Sequence, residues 1–95
     1  MNENTNKSIL LVDDDLTFLK MVKSWLSDKY TVTSVKSGEQ ALRYVSKHTP
    51  ALIMLDHDMP DISGEEVFES LKTDSGTKDI PVIFLTGKDD QETID

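Results

Sequence analysis

Three aspartates stand where apolar runs stop. Asp13 and Asp14 follow Ile9-Leu10-Leu11-Val12, and Asp56 follows Ala51-Leu52-Ile53-Met54-Leu55. Apolar runs this short, entered and left through polar or proline-marked turns, read as strands buried on both faces. If the strands are parallel, both exits open on one sheet edge, where open α/β sheets bind ligands. Carboxylates gathered there repel one another unless a cation neutralises them. A hard divalent ion, Mg²⁺ foremost, suits such a donor set: one or two direct carboxylates and several retained waters. A carboxylate beside that ion can also attack phosphorus to give an acyl phosphate, because the metal screens repulsion between the anions. Asp56 is the expected chemical centre. The plainer alternative is that Asp56 only opens a turn.

A further apolar run, Ile80 to Leu85, ends in Thr86-Gly87. Its hydroxyl and the backbone N–H groups of the Gly87 loop would reach the same edge and bind further phosphoryl oxygens. No glycine-rich phosphate loop is present, so nucleotide binding has no support. Two histidines, His48 and His57, are too few for a histidine metal site, and the absence of cysteine excludes disulfides, thiolate metal sites and a cysteine nucleophile. His48, in a last helical turn, is a favourable partner for the helix dipole rather than a catalytic group.

Helices must carry the chain from each strand back to the start of the next. Asp15 is the candidate N-cap of a first helix, with Phe18, Leu19, Val22, Trp25 and Leu26 on one face and Phe18 and Trp25 expected in the core. Tyr30 to Val35 alternates and is β-branched, as a half-exposed edge strand would be. Ser37-Gly38-Glu39-Gln40 fits a capping box for a second helix that turns Ala41, Leu42 and Val45 inward. Ser63-Gly64-Glu65-Glu66 fits another, for a helix with Val67, Phe68 and Leu71 on its apolar side and a stop at Asp74-Ser75-Gly76. Asp89 and Glu92 would cap one more. Strands alternating with helices give an α/β fold, a parallel sheet with helices on both faces.

Ninety-five residues suit one small domain, and 37% apolar with 29% charged residues is an ordinary globular balance. Eighteen acids against ten bases leave a formal net charge of −8, which argues against a nucleic-acid or anionic-membrane partner and suits a cation or a basic one. The start, Met1 to Lys7, is expected to be a disordered tail; it lacks the apolar stretch of a signal peptide, and no run approaches membrane-spanning length. A cytoplasmic location is expected.

Ile-Leu-Leu-Val-Asp-Asp-Asp, Leu-Ile-Met-Leu-Asp-His-Asp-Met-Pro-Asp-Ile-Ser-Gly and Pro-Val-Ile-Phe-Leu-Thr-Gly, in that order and spacing, resemble three signature segments of the receiver domain of bacterial two-component response regulators. The resemblance spans residues 8–95. It implies a flavodoxin-like doubly wound sheet, here of about four strands in the order 2-1-3-4, in a phosphorelay signalling domain. A sensor histidine kinase or phosphotransfer protein would pass a phosphoryl group to Asp56 with Mg²⁺ present. It implies Asp14 as a direct Mg²⁺ ligand, Asp13 acting through water, and the backbone carbonyl of Asp58 completing the protein ligands with Asp56. Thr86 would be the switch hydroxyl, and Asp58 and Lys88 the two positions whose side chains tune hydrolysis. Any enzymatic activity would be limited to self-phosphorylation and self-dephosphorylation.

Receiver domains continue into a fifth strand, bearing a lysine and an aromatic residue, and a fifth helix, whereas this sequence stops at Asp95. The reading is therefore of a C-terminally incomplete receiver, with Val82 to Leu85 as an exposed apolar edge through which a homodimer could form. Two alternatives stand beside it. One is a non-switchable, receiver-like interaction module or fragment. The other is a haloacid-dehalogenase-type phosphatase, suggested by Asp56-His57-Asp58 after an apolar strand, although that family gives no role to Asp13 and Asp14.

Overall fold

The computed structural model describes residues 7–85. The elements run β1 (Lys7–Val12), α1 (Leu16–Leu26), β2 (Tyr30–Val35), α2 (Gly38–Val45), β3 (Leu52–Asp56), α3 (Gly64–Thr73) and β4 (Val82–Leu85). The strands form one sheet in the order β2-β1-β3-β4, every neighbouring pair parallel, as the flavodoxin-like reading requires.

The uninterrupted apolar runs have a direct structural cause. Side chains on a strand alternate between faces, so a strand covered on both sides must be apolar at every position. On β1, Leu10 and Val12 enter a cluster with Ala41 of α2, Val67 and Leu71 of α3, and Ile53 and Leu55 of β3. Ile9 and Leu11 turn the other way, to Leu19 and Val22 of α1 and Val32 of β2. Helices α2 and α3 thus cover one face and α1 the other. Leu10, Leu11, Val12 and Leu55 are fully buried, each contributing on the order of 2 kcal/mol from apolar burial.

Local capping fixes where the helices begin. The Asp15 carboxylate accepts the N–H groups of Thr17 and Phe18. Ser63 and Glu66 form the expected reciprocal box: Ser63 Oγ accepts from Glu66 N–H, and the Glu66 carboxylate accepts from Ser63 N–H. Ser37 also caps, accepting from Gln40 N–H. Gln40, however, reaches back to the N–H of Lys36 rather than that of Ser37, so α2 lacks the full box.

Three further expectations shift. Lys7 belongs to β1, opposite Tyr30, rather than to a tail; Met1 to Asn6 lie outside the described residues. Trp25 is 67% exposed, because at about 100° per residue it falls on the rim of the stripe made by Leu19, Val22 and Leu26; Phe18 does pack against that cluster. Ile80 and Pro81 precede β4, although the Pro81 carbonyl already accepts Ile53 N–H. Among the described residues β4 pairs with β3 alone, and Ile83 is 48% exposed. The helix expected after Gly87 lies outside the described residues.

Candidate metal centre and phosphoacceptor site

The β1–β3 register pairs Val12 with Leu55, so the residues at the next rung are Asp13 and Asp56. Both are buried, at 1% and 3% exposure, whereas Asp14 is exposed. One carboxylate oxygen from each of Asp13, Asp14 and Asp56 lies within 4.8 Å of the others. Two separate strand exits therefore meet, as the sequence suggested. Asp13 is held from two directions: its N–H donates to the Val35 carbonyl at the end of β2, and its Oδ1 accepts the N–H of Asp15 at 3.0 Å.

The donor set fits a small hard cation. Ligand oxygens around an octahedral ion with bonds of about 2.1 Å are separated by roughly 3 to 4 Å, close to the spacing of these carboxylates. The slightly wider limit of 4.8 Å suits one or two direct carboxylates, with the rest reaching through water. Without a cation, two ionised carboxylates at that separation cost on the order of 3 kcal/mol at an effective dielectric of about 20. Asp58 is exposed on the loop beyond Asp56, with its side chain available to solvent.

The wall beside Asp56 is built by α3. Gly64 N–H donates to the His57 carbonyl at 2.8 Å. A Cβ at Gly64 would lie 2.1 Å from the Asp56 carbonyl oxygen, so α3 touches the strand end so closely that only glycine fits. His57 turns away from the carboxylates. Its Nδ1 lies 2.5 Å from Glu65 of α3, and its ring stacks on Phe84 of β4 with centroids 4.5 Å apart. The hydrogen bond with His57 holds the Glu65 carboxyl below its ordinary value.

Asp61 was invisible as a site-building residue. Its two carboxylate oxygens accept the N–H groups of Gly38 and Glu39 at the start of α2, at 3.1 and 2.8 Å. The Glu39 N–H above all holds its carboxyl below the usual range, against the opposing effect of burial and with help from the Ile62 and Gly38 N–H groups. Nothing in the local sequence signals this, since the partners are 22 and 23 residues away. Thr86, Gly87 and Lys88, the remaining expected site positions, lie outside the described residues.

Residues 9–95 match the family described as the response regulator receiver domain. The chain belongs to that family. A probable cyclic di-GMP phosphodiesterase of Vibrio cholerae is 36% identical over 92 residues, which is 97% of this chain and 21% of the relative. The polar-differentiation response regulator DivK of Brucella ovis is 35% identical over 93% of the chain and 75% of its own length. This receiver domain thus spans about a fifth of the first relative and three quarters of the second. Among solved structures, the receiver domain of the sensor histidine kinase PA1611 from Pseudomonas aeruginosa PAO1, with a magnesium ion coordinated in its active-site cleft, superposes with a TM-score of 0.84. It is 26% identical, covering 92% of this chain and 72% of that one. The family and the 2-1-3-4 sheet bear out the fold and the two-component signalling class read from the sequence, and leave the phosphatase alternative without support. Among the described residues no helix is long and apolar enough to cross a membrane.

Proposed function

We propose that this receiver domain accepts a phosphoryl group on Asp56 from a phosphohistidine of a sensor kinase or phosphotransfer protein. The observation that carries the reading is the meeting of Asp13, Asp14 and Asp56 at one sheet edge. A carboxylate oxygen of Asp56 attacks phosphorus, the P–N bond to the donor imidazole breaks, and the departing imidazole takes up a proton. Asp13, Asp14, Asp56 and the backbone carbonyl of Asp58 would hold Mg²⁺, which when bound supplies charge neutralisation between the attacking carboxylate and the phosphoryl oxygens. The exposed Asp14 is the side chain best able to bind directly while the rest of the ion's shell stays water. Membership of the family supports Thr86 as the switch hydroxyl and Asp58 and Lys88 as positions that tune hydrolysis. The magnesium in the cleft of the Pseudomonas receiver supports the same ion here. The acidic surface, with a net charge of −8, disfavours nucleic acid and anionic membrane as partners. A cytoplasmic location accompanies this reading.

The test is incubation with a small-molecule phosphodonor and Mg²⁺, followed by intact-mass measurement. One added phosphoryl group is expected, absent in Asp56→Asn and absent when Mg²⁺ is chelated. Unmodified wild-type protein at saturating Mg²⁺, or equal modification of Asp56→Asn, would overturn the assignment.

A further inference from the structure

The loop that follows Asp56 is tied at both ends. At its start, His57 is held through its carbonyl by Gly64 N–H and through its ring by Glu65 and Phe84. At its far end, the Asp61 carboxylate spans two N–H groups of α2, and Ile62 fills the space against Gly38 so tightly that a Cβ there would lie 2.4 Å from Ile62 Cγ1. Only Asp58, Met59 and Pro60 lie between the ties, and Met59 is itself packed against the core. A negative charge accepting N–H groups at a helix start is favoured both by charge-assisted hydrogen bonding and by the helix dipole.

We propose that Asp61 is a positioning residue for the metal centre: by clasping the first turn of α2 it fixes the loop so that the Asp58 carbonyl faces the ion-binding edge. This rests on the function proposed above. The Asp61 carboxylate bonds to the backbone of α2, and it acts through the backbone it holds. The clasp links α2, which contributes no donor of its own, to the occupancy of the site. Outer groups that orient a metal's donors commonly change affinity by tenfold or more when removed.

The test compares Mg²⁺ titrations of wild type, Asp61→Ala, Asp61→Asn and Ser37→Ala, followed by amide NMR shifts, with the extent of phosphorylation at saturating Mg²⁺ measured in parallel. Ser37→Ala is the structural control, because it removes another cap bond of the same helix without touching the loop. Asp61→Ala is expected to raise the Mg²⁺ midpoint about tenfold while phosphorylation at saturation is retained. Asp61→Asn, which keeps the shape and one acceptor, gives a smaller rise and serves if the alanine variant fails to fold. Ser37→Ala leaves the midpoint unchanged. A midpoint for the folded Asp61 variants within about twofold of wild type, or an equal rise in Ser37→Ala, overturns the proposal. A wild-type protein blind to Mg²⁺ overturns it too. A wild type that binds Mg²⁺ but takes no phosphoryl group defeats the Asp56 assignment instead, and the midpoints still judge Asp61.

Discussion

Gly64→Ala tests how closely α3 and the end of β3 that bears Asp56 are fitted. The added Cβ would sit 2.1 Å from the Asp56 carbonyl oxygen and 3.0 Å from both the Asp56 carbonyl carbon and the His57 Cα. All three are backbone atoms, so no side chain can rotate away. Ordinary contact begins near 3.4 Å, and 3.4 minus 2.1 leaves 1.3 Å to be made up by moving the strand end or the helix. Overpacking a rigid contact costs about 1 to 3 kcal/mol, against at most about 1 kcal/mol gained from alanine in a helix. A net loss of about 1 to 2 kcal/mol lowers the melting temperature of a domain this size by roughly 5 to 10 °C. The shift also exceeds the tolerance of about 0.2 Å within which metal ligands are placed, so the Mg²⁺ midpoint should rise by about tenfold or more. Two other glycines calibrate the result. At Gly38 the obstructing atoms are the side chains of Ile62 and Val67, which can adjust, and at Gly76 the nearest neighbour is the Asp74 carboxylate at 3.4 Å. The expected order of destabilisation is therefore Gly64→Ala, then Gly38→Ala, with Gly76→Ala near neutral, measured by thermal melts in chelator. A Gly64→Ala protein that melts with wild type and binds Mg²⁺ equally well would refute the reasoning.

Ser63→Ala should lower stability by about 1 kcal/mol, because it removes the acceptor for Glu66 N–H and loosens the return bond from Glu66 to Ser63 N–H; chemical denaturation gives the value directly. Acid should weaken the fold through Asp61 and Glu65. Their carboxyls are held below the ordinary 3.8 and 4.5, by the Glu39 N–H and by the His57 hydrogen bond respectively. Stability from both is complete above those ordinary values and is lost as pH falls through the lower folded ones. Both groups are exposed, so the effect is small. Melting curves across the acid range should fall less steeply for Asp61→Ala and Glu65→Ala than for wild type.

The parts of this fold that are local in sequence were legible there. Short apolar runs with polar exits give the strands, and Asp15, Ser37 and Ser63 mark helix starts because a cap and the N–H groups that donate to it lie within three residues of one another. Asp13, Asp14 and Asp56 could be brought together because parallel strands share an exit edge, a property of topology rather than of any one contact. What depends on long-range contacts was not legible. Asp61 finds α2 across more than twenty residues, and His57 finds Phe84 on a different strand. Trp25 failed for another reason: helical spacing assigns a residue to a stripe, but cannot tell the centre of the stripe from its rim.

The rung that sets Val12 beside Leu55 has a consequence for errors in assembly. A slip of one residue between β1 and β3 would move side chains to the opposite covered face, away from the neighbours they fit, and at the same time part Asp13 from Asp56. Misaligned copies would thus lose their packing and their carboxylate cluster together. The meeting of Asp13 with Asp56 is inherited from the pairing of the sheet.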